Sequence, residues 1–195
     1  MPPPPAVLSV AVLGNRVFIS SSNKGPFADQ GAIFCLDADT GAVSWKYEPR
    51  NFRATFSSPS VSSNYLVCGE GLHYTRDARI TCLKITEKGH DFLWDYRTKS
   101  HVESSAAIYD GHAYIGAGDD GLYCIALEPG PGNKPNVVWH LEGTNYPDCE
   151  ASPIAADGKV YFCLGLGGKA VVCADAKTGR EIWRTPASFP VFVHP

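Results

Sequence analysis

Basic charge is in short supply in this chain. Seventeen Lys and Arg against twenty Asp and Glu give a formal net charge of -3, so no broad positive field exists to neutralise a phosphate backbone or to hold an anionic membrane. Nucleic acid is thereby set aside as a partner. Long apolar runs are also missing: the stretch from Ala6 to Leu13 is broken by Ser9, far short of the ~20 residues that span a bilayer. Met1 and Pro2 to Pro5 offer no positively charged region of the kind that opens a secretion signal. That leaves two readings, a cytoplasmic protein or a piece of a longer chain whose signal lies elsewhere. None of the seven cysteines adjoins another or forms a C-x-x-C pair, which removes the usual zinc and haem spacings. There is a single methionine, and the composition as a whole disfavours a helical protein.

What the chain has is turn formers and aromatics. Nineteen Gly, fifteen Pro, nine Tyr, nine Phe and four Trp match many short strands joined by tight turns, and 44% hydrophobic residues suffice to bury a core. The tryptophans Trp45, Trp94, Trp139 and Trp183 follow one another at intervals of 49, 45 and 44 residues. Cys35, Cys82, Cys124 and Cys173 keep the same step, each in an apolar run shortly before a tryptophan. A fixed period of roughly 40 to 50 residues marks propellers and solenoids.

Four segments recur in each unit. The first is Ser57-Ser58-Pro59, Ser104-Ser105-Ala106 or Ala151-Ser152-Pro153; the second is an alternating strand entered through Gly14-Asn15, Ser63-Asn64, Asp110-Gly111 or Asp157-Gly158. The Asp-Gly and Gly-Asn dipeptides supply the positive-φ positions that two-residue hairpins need. The third carries the repeated cysteine and the fourth ends in tryptophan, so the unit is a four-stranded blade. The expected fold is therefore all-β: a β-propeller in which four four-stranded blades cover about 5–47, 54–96, 101–140 and 148–184.

Between third and fourth strands stand Asp37-Ala38-Asp39-Thr40-Gly41 and Asp175-Ala176-Lys177-Thr178-Gly179, each with its tryptophan four residues after the glycine. These residues resemble the tryptophan-docking motif of the quinoprotein-like, PQQ-repeat propellers. The likeness runs from Val7 to Trp183, with degenerate copies at Lys84-Ile85-Thr86-Glu87-Lys88-Gly89 and in the longer Pro/Gly loop from Glu128 to Pro135. The resemblance implies that Trp45, Trp94, Trp139 and Trp183, with Gly41 and Gly179, are structural docking residues whose indoles pack between neighbouring blades. It also implies a ring of seven or eight blades and an extracytoplasmic, periplasmic setting. Physically, Gly takes the left-handed turn, Asp and Thr hydrogen-bond their own backbone, and each indole buries ~150 to 250 Å².

Residues 189–195 read Phe189-Pro190-Val191-Phe192-Val193-His194-Pro195, and Val193-His194-Pro195 falls where Ser57-Ser58-Pro59 falls in an earlier blade. The expectation is that a fifth blade starts here and that the sequence is part of a larger ring. Open blade faces are association hazards, so the expected partners are the remaining blades of a longer chain or a second copy completing an eight-bladed ring.

The repeated cysteines read as buried apolar fillers, since equivalent positions on radiating strands stand too far apart for disulfides. Cys149, in a polar segment, is the candidate for reactivity. The residues just before the innermost strands, His101 and Glu103 in the third blade and Asp148 and Glu150 in the fourth, are candidates for a ligand or cation site at the channel mouth. The competing expectation is that these carboxylates bond neighbouring backbone or Ser hydroxyls. Phe56 stands at the equivalent place of the second blade and breaks any ring of acids. His73, in the loop Gly69 to Tyr74, is expected to be solvated, and Gly116-Ala117-Gly118-Asp119-Asp120-Gly121 is expected to be a hairpin turn with no helix to make it a phosphate cradle. No nucleophile or acid/base pairing stands out. The functional expectation is a non-catalytic, protein- or ligand-binding scaffold within a larger chain, with a loop face for a protein partner and with no metal and no cofactor of its own. The alternative is part of a PQQ-dependent dehydrogenase, for which the resemblance would bring PQQ and calcium; family members hold the quinone above a Trp and beside a vicinal disulfide, and this sequence has no adjacent cysteines.

Overall fold

A computed structural model describes residues 9–25 and 28–189. These residues form sixteen strands in four antiparallel sheets. Sheet one contains β1 (Ala11–Leu13), β2 (Arg16–Gly25), β3 (Ala28–Asp37) and β4 (Val43–Tyr47). Sheet two contains β5 (Ser60–Ser62), β6 (Tyr65–Gly69), β7 (Arg79–Ile85) and β8 (His90–Arg97). In sheet three are β9 (Ala107–Tyr109), β10 (His112–Gly116), β11 (Gly121–Gly130) and β12 (Lys134–Glu142), and in sheet four β13 (Ile154–Ala156), β14 (Lys159–Leu164), β15 (Ala170–Asp175) and β16 (Glu181–Pro186). Spatial order equals chain order in every sheet. Among the described residues there is no helix, hence none long and apolar enough to cross a membrane. The expected start of a fifth blade, at residues 189–195, lies outside the described residues apart from Phe189.

Local chemistry explains the hairpins. Asp110 and Gly111 have φ of 47° and 73°, and Asp157 and Gly158 have 50° and 72°, the paired left-handed positions of a type I′ turn whose twist matches the strands it joins. The two periodic residues of the sequence prove to be cross-strand partners: Cys35 faces Trp45, Cys82 faces Trp94, Cys124 faces Trp139 and Cys173 faces Trp183. In all four sheets the ladder slips immediately after that cysteine. A bulge at this place bends the outer strand and aims the indole at the next sheet.

The apolar interior lies between sheets. Phe18, Ile33 and Cys35 of sheet one pack with Leu66, Cys68 and Leu83 of sheet two; Val67, Ile80 and Trp94 pack with Ala113, Ile115 and Ile125 of sheet three; Tyr114, Leu122 and Cys124 pack with Val160, Phe162 and Val172 of sheet four. Among the described residues no such cluster joins sheet four back to sheet one, so the assembly is an open arc of propeller blades. The short strands β1, β5, β9 and β13 run side by side on its inner edge. There the Ser-Ser pairs find their use: Ser9 N donates to Ser58 Oγ (2.8 Å), Ser58 N to Ser105 Oγ (3.0 Å) and Ser105 N to Ser152 Oγ (2.9 Å). One hydroxyl per blade thus caps a backbone donor of the blade before it.

The outer edge is fastened by tryptophan, unevenly. Trp94 Nε1 donates to Leu127 O of sheet three and Trp139 Nε1 to Ala176 O of sheet four, each at 2.9 Å. Gly179, with φ of 72°, lies directly under the Trp139 ring, where a Cβ would fall 2.8 Å from Cδ2. Here glycine is required both by the left-handed turn and by the indole. At the two ends the arrangement is half made. Gly41, with φ of 70°, has nothing within 4 Å of where its Cβ would be, and Trp183 is 42% exposed. Trp45 departs from the pattern: it reaches the degenerate turn of the second blade, lies 4.5 Å from the His90 ring, and its buried Nε1 has no hydrogen-bond partner.

Candidate functional site

Within an antiparallel blade, the loop between second and third strands lies at the same end as the segment that enters the next innermost strand. This places the 70–78 loop of the second blade beside the entries to the third and fourth. Three sheets therefore converge on one spot near the inner edge, occupied by His73, His101, Glu103 and Glu150.

Glu150 is the hub. Its Oε1 lies 2.8 Å from His101 Nε2 and 3.0 Å from His73 Nδ1, and its side chain is almost wholly buried. The two imidazoles are 5.2 Å apart, centroid to centroid. Donor atoms of His73, His101 and Glu103 all fall within 4.8 Å of one another. Glu103 Oε1 is buried and has no hydrogen-bond partner, a rare condition for a carboxylate oxygen.

The glycine-rich segment Gly116–Gly121 is a hairpin turn, and it forms the floor of the site. Gly118 has φ of 52°, and a Cβ on it would lie 2.7 Å from His101 Cε1. Its backbone exchanges hydrogen bonds with Cys149, Gly118 N to Cys149 O at 3.2 Å and Cys149 N to Gly118 O at 2.9 Å, which fixes Glu150 next door. Ser100 Oγ stands 3.2 Å from His101 Nδ1 and orients the ring.

Burial works against a charge on His101, but the Glu150 contact and the neighbouring acids outweigh it and raise its pKa above the ordinary value. The hydrogen bond from His101, opposed by burial, lowers that of Glu150. Burial raises the pKa of Glu103, with His101 pulling the other way and Glu150 adding to the rise. The group is an unevenly charged cluster in which Glu150 is held by two imidazoles while one oxygen of Glu103 has no partner.

Of the four residues read from the sequence, the structure brings together His101, Glu103 and Glu150. Asp148 is not among the converging donors: its Oδ2 accepts from Leu166 N, tying down the 165–168 loop. His73 is not simply solvated; about half exposed, it closes the site from the second blade. The sequence signal for it was the blade phase itself, which puts the loop after a second strand at this end. Cys149, the candidate for reactivity, is completely buried, and burial pushes its thiol far above the ordinary range, where nucleophilic chemistry is suppressed. No disulfide joins the seven cysteines, and only Cys163 is not fully buried; burial raises Cys68, Cys82 and Cys124 to about 12.

On the same face lie two charged clefts. One, of about 390 Å³, is lined by Arg76, Lys99, Asp119, Asp120 and Glu142. The other, of about 440 Å³, is lined by Arg50, Arg53, Asp77, Arg97 and the buried pair Glu70–Arg79. That pair is bidentate, Arg79 Nε to Glu70 Oε1 at 2.9 Å and Nη2 to Oε2 at 3.0 Å, and was not legible in the sequence.

Blades of this order, serine-linked inside and tryptophan-wedged outside, define a β-propeller of the PQQ-like repeat class. Residues 29–191 match the model of a family described as outer membrane protein assembly factor BamB. The chain belongs to this PQQ-like repeat family. Its fold is similar to that of BamB from Moraxella catarrhalis, with a TM-score of 0.66 at 16% identity over 93% of this chain and 48% of that one. Quinohemoprotein alcohol dehydrogenases are similar as well: ADHIIG from Pseudomonas putida HK5 (TM-score 0.67, 14% identity, 93% of this chain and 34% of that one) and the enzyme from Comamonas testosteroni (0.69, 13%, 94% and 35%). The chain thus spans about half the length of the BamB structure and about a third of the dehydrogenases, and at these identities the likeness concerns the fold alone. No curated protein matches the sequence.

Proposed function

We propose that this arc is a non-catalytic binding scaffold of an extracytoplasmic propeller, presenting its loop face to a protein partner. The observation that carries this reading is the character of that face. Its clefts are open, polar and lined by Arg50, Arg53, Arg76, Arg97 and Lys99 interleaved with acids, chemistry that suits the polar rim of a protein interface better than the enclosed, mostly apolar pocket that a flat cofactor needs. The tryptophans support it: Trp94 and Trp139 are committed to holding blades together and are not free to stack under a quinone. Titrating the protein with PQQ and Ca²⁺ while following absorbance and melting temperature tests the reading. The scaffold leaves both unchanged; a saturable spectral change with a higher melting temperature would replace it with the alternative, part of a PQQ-dependent dehydrogenase.

The two end faces of the arc have their own partner in this proposal, another blade of the same repeat type. Val12 of sheet one, with Val10 just before it, and Ile154 of sheet four are largely exposed, and Trp183 of sheet four is partly so. Trp183 and Gly41 are the two halves of the contact that Trp139 and Gly179 complete inside the chain. A second copy supplies both halves when this chain is alone.

A further inference from the structure

We propose that His73, His101, Glu103 and Glu150 form a binding site for a divalent transition-metal ion of the zinc class, bridging the second, third and fourth blades. Two imidazoles and two carboxylates are the donor set of zinc and its neighbours, whereas calcium and magnesium prefer oxygen alone. The convergence is already built: both imidazole nitrogens aim at one carboxylate oxygen, at 2.8 and 3.0 Å, and the donors of His73, His101 and Glu103 lie within 4.8 Å of one another. A structural ion pair would account for His101 and Glu150. It does not account for Glu103, whose Oε1 is buried at the same spot with no hydrogen-bond partner, nor for a second imidazole on the same carboxylate. A cation among these four residues would give that oxygen the partner it lacks.

Supporting structure is present too. Ser100 holds the far nitrogen of His101 and Gly118 supports its ring, the kind of outer contact that fixes a ligand imidazole. His73 is about half exposed and provides the way in. Because the ligands come from three blades, the ion would act as a cross-link of the inner edge, stabilising the arc through binding to the folded state alone.

Calorimetric titration with ZnCl₂ and absorbance titration with CoCl₂ test this. One equivalent of zinc binds, the melting temperature rises and EDTA reverses the rise, and cobalt gives visible ligand-field bands without a thiolate charge-transfer band, since no cysteine sulfur belongs to the site. His73→Ala, at an exposed position that leaves the fold intact, and Glu103→Gln each weaken zinc affinity by at least about tenfold, while His112→Ala leaves it unchanged. The proposal is overturned by the absence of saturable binding, by affinity that both site variants leave intact, or by a thiolate band locating the ion on cysteine.

Discussion

Asp37 and Asp175 are small parts with a clear assignment. Asp175 Oδ1 accepts from Thr178 N at 2.8 Å and from Thr178 Oγ1 at 2.7 Å, and Asp37 does the same with Thr40 at 2.9 and 2.7 Å. The Thr side-chain hydrogen bond, followed by the backbone one, lowers both carboxyl pKa values. A depressed folded pKa means that the stabilisation is complete above the unfolded value of ~3.9 and is lost as pH falls through the folded one. The double variant Asp37→Asn, Asp175→Asn should therefore melt lower than the parent at neutral pH and lose less on acidification below about pH 4, read by thermal denaturation across pH. These turns were legible because the whole constellation is local in sequence. The site at the channel mouth was only half legible: His101, Glu103 and Glu150 share a phase in successive blades, whereas His73 arrives from a different loop of an earlier blade. Glu70 and Arg79 were missed for a similar reason, since both sit at strand ends where charged residues ordinarily face water.

At the scale of the element, the strand order and the four-unit count followed from the Trp and Cys periods, because each residue marks the same register position across from the other. What the sequence concealed was the bulge behind each cysteine, a one-residue slip that periodicity cannot reveal when interval lengths vary with the turns. The Ser-Ser pairs were visible as a recurring motif, but their partners were not, because each hydroxyl serves a backbone amide one blade away. Ser105 accepts from Ser58 N at 3.0 Å. Replacing it with Ala removes that acceptor while keeping the backbone donor of Ser105 in place. The expected loss is about 1 kcal/mol of unfolding free energy, measured by urea denaturation, with no change in secondary structure content.

Among the described residues the molecule is an arc whose two end faces carry exposed apolar side chains, and such faces associate. The isolated chain should form dimers or larger assemblies in size-exclusion chromatography with light scattering, growing with concentration. Trp183→Ala removes one half of an end-face contact of the kind that Trp139 and Gly179 make, and should shift the population toward monomer without lowering the stability of single blades. A monodisperse monomer of the parent chain at moderate concentration would contradict the proposed end-face partner.

The blades of such a repeat contribute nearly independent terms plus the couplings between neighbours, so unequal couplings set an order of opening. Two of the three internal seams have a tryptophan N–H donated across them, and the third, between sheets one and two, has the Trp45 N–H buried with nothing to accept it, a deficit of about 1 to 3 kcal/mol. The first blade should peel away before the others part, and amide hydrogen exchange would record this as early loss of protection across β2 and β3 while β10, β11, β14 and β15 remain closed.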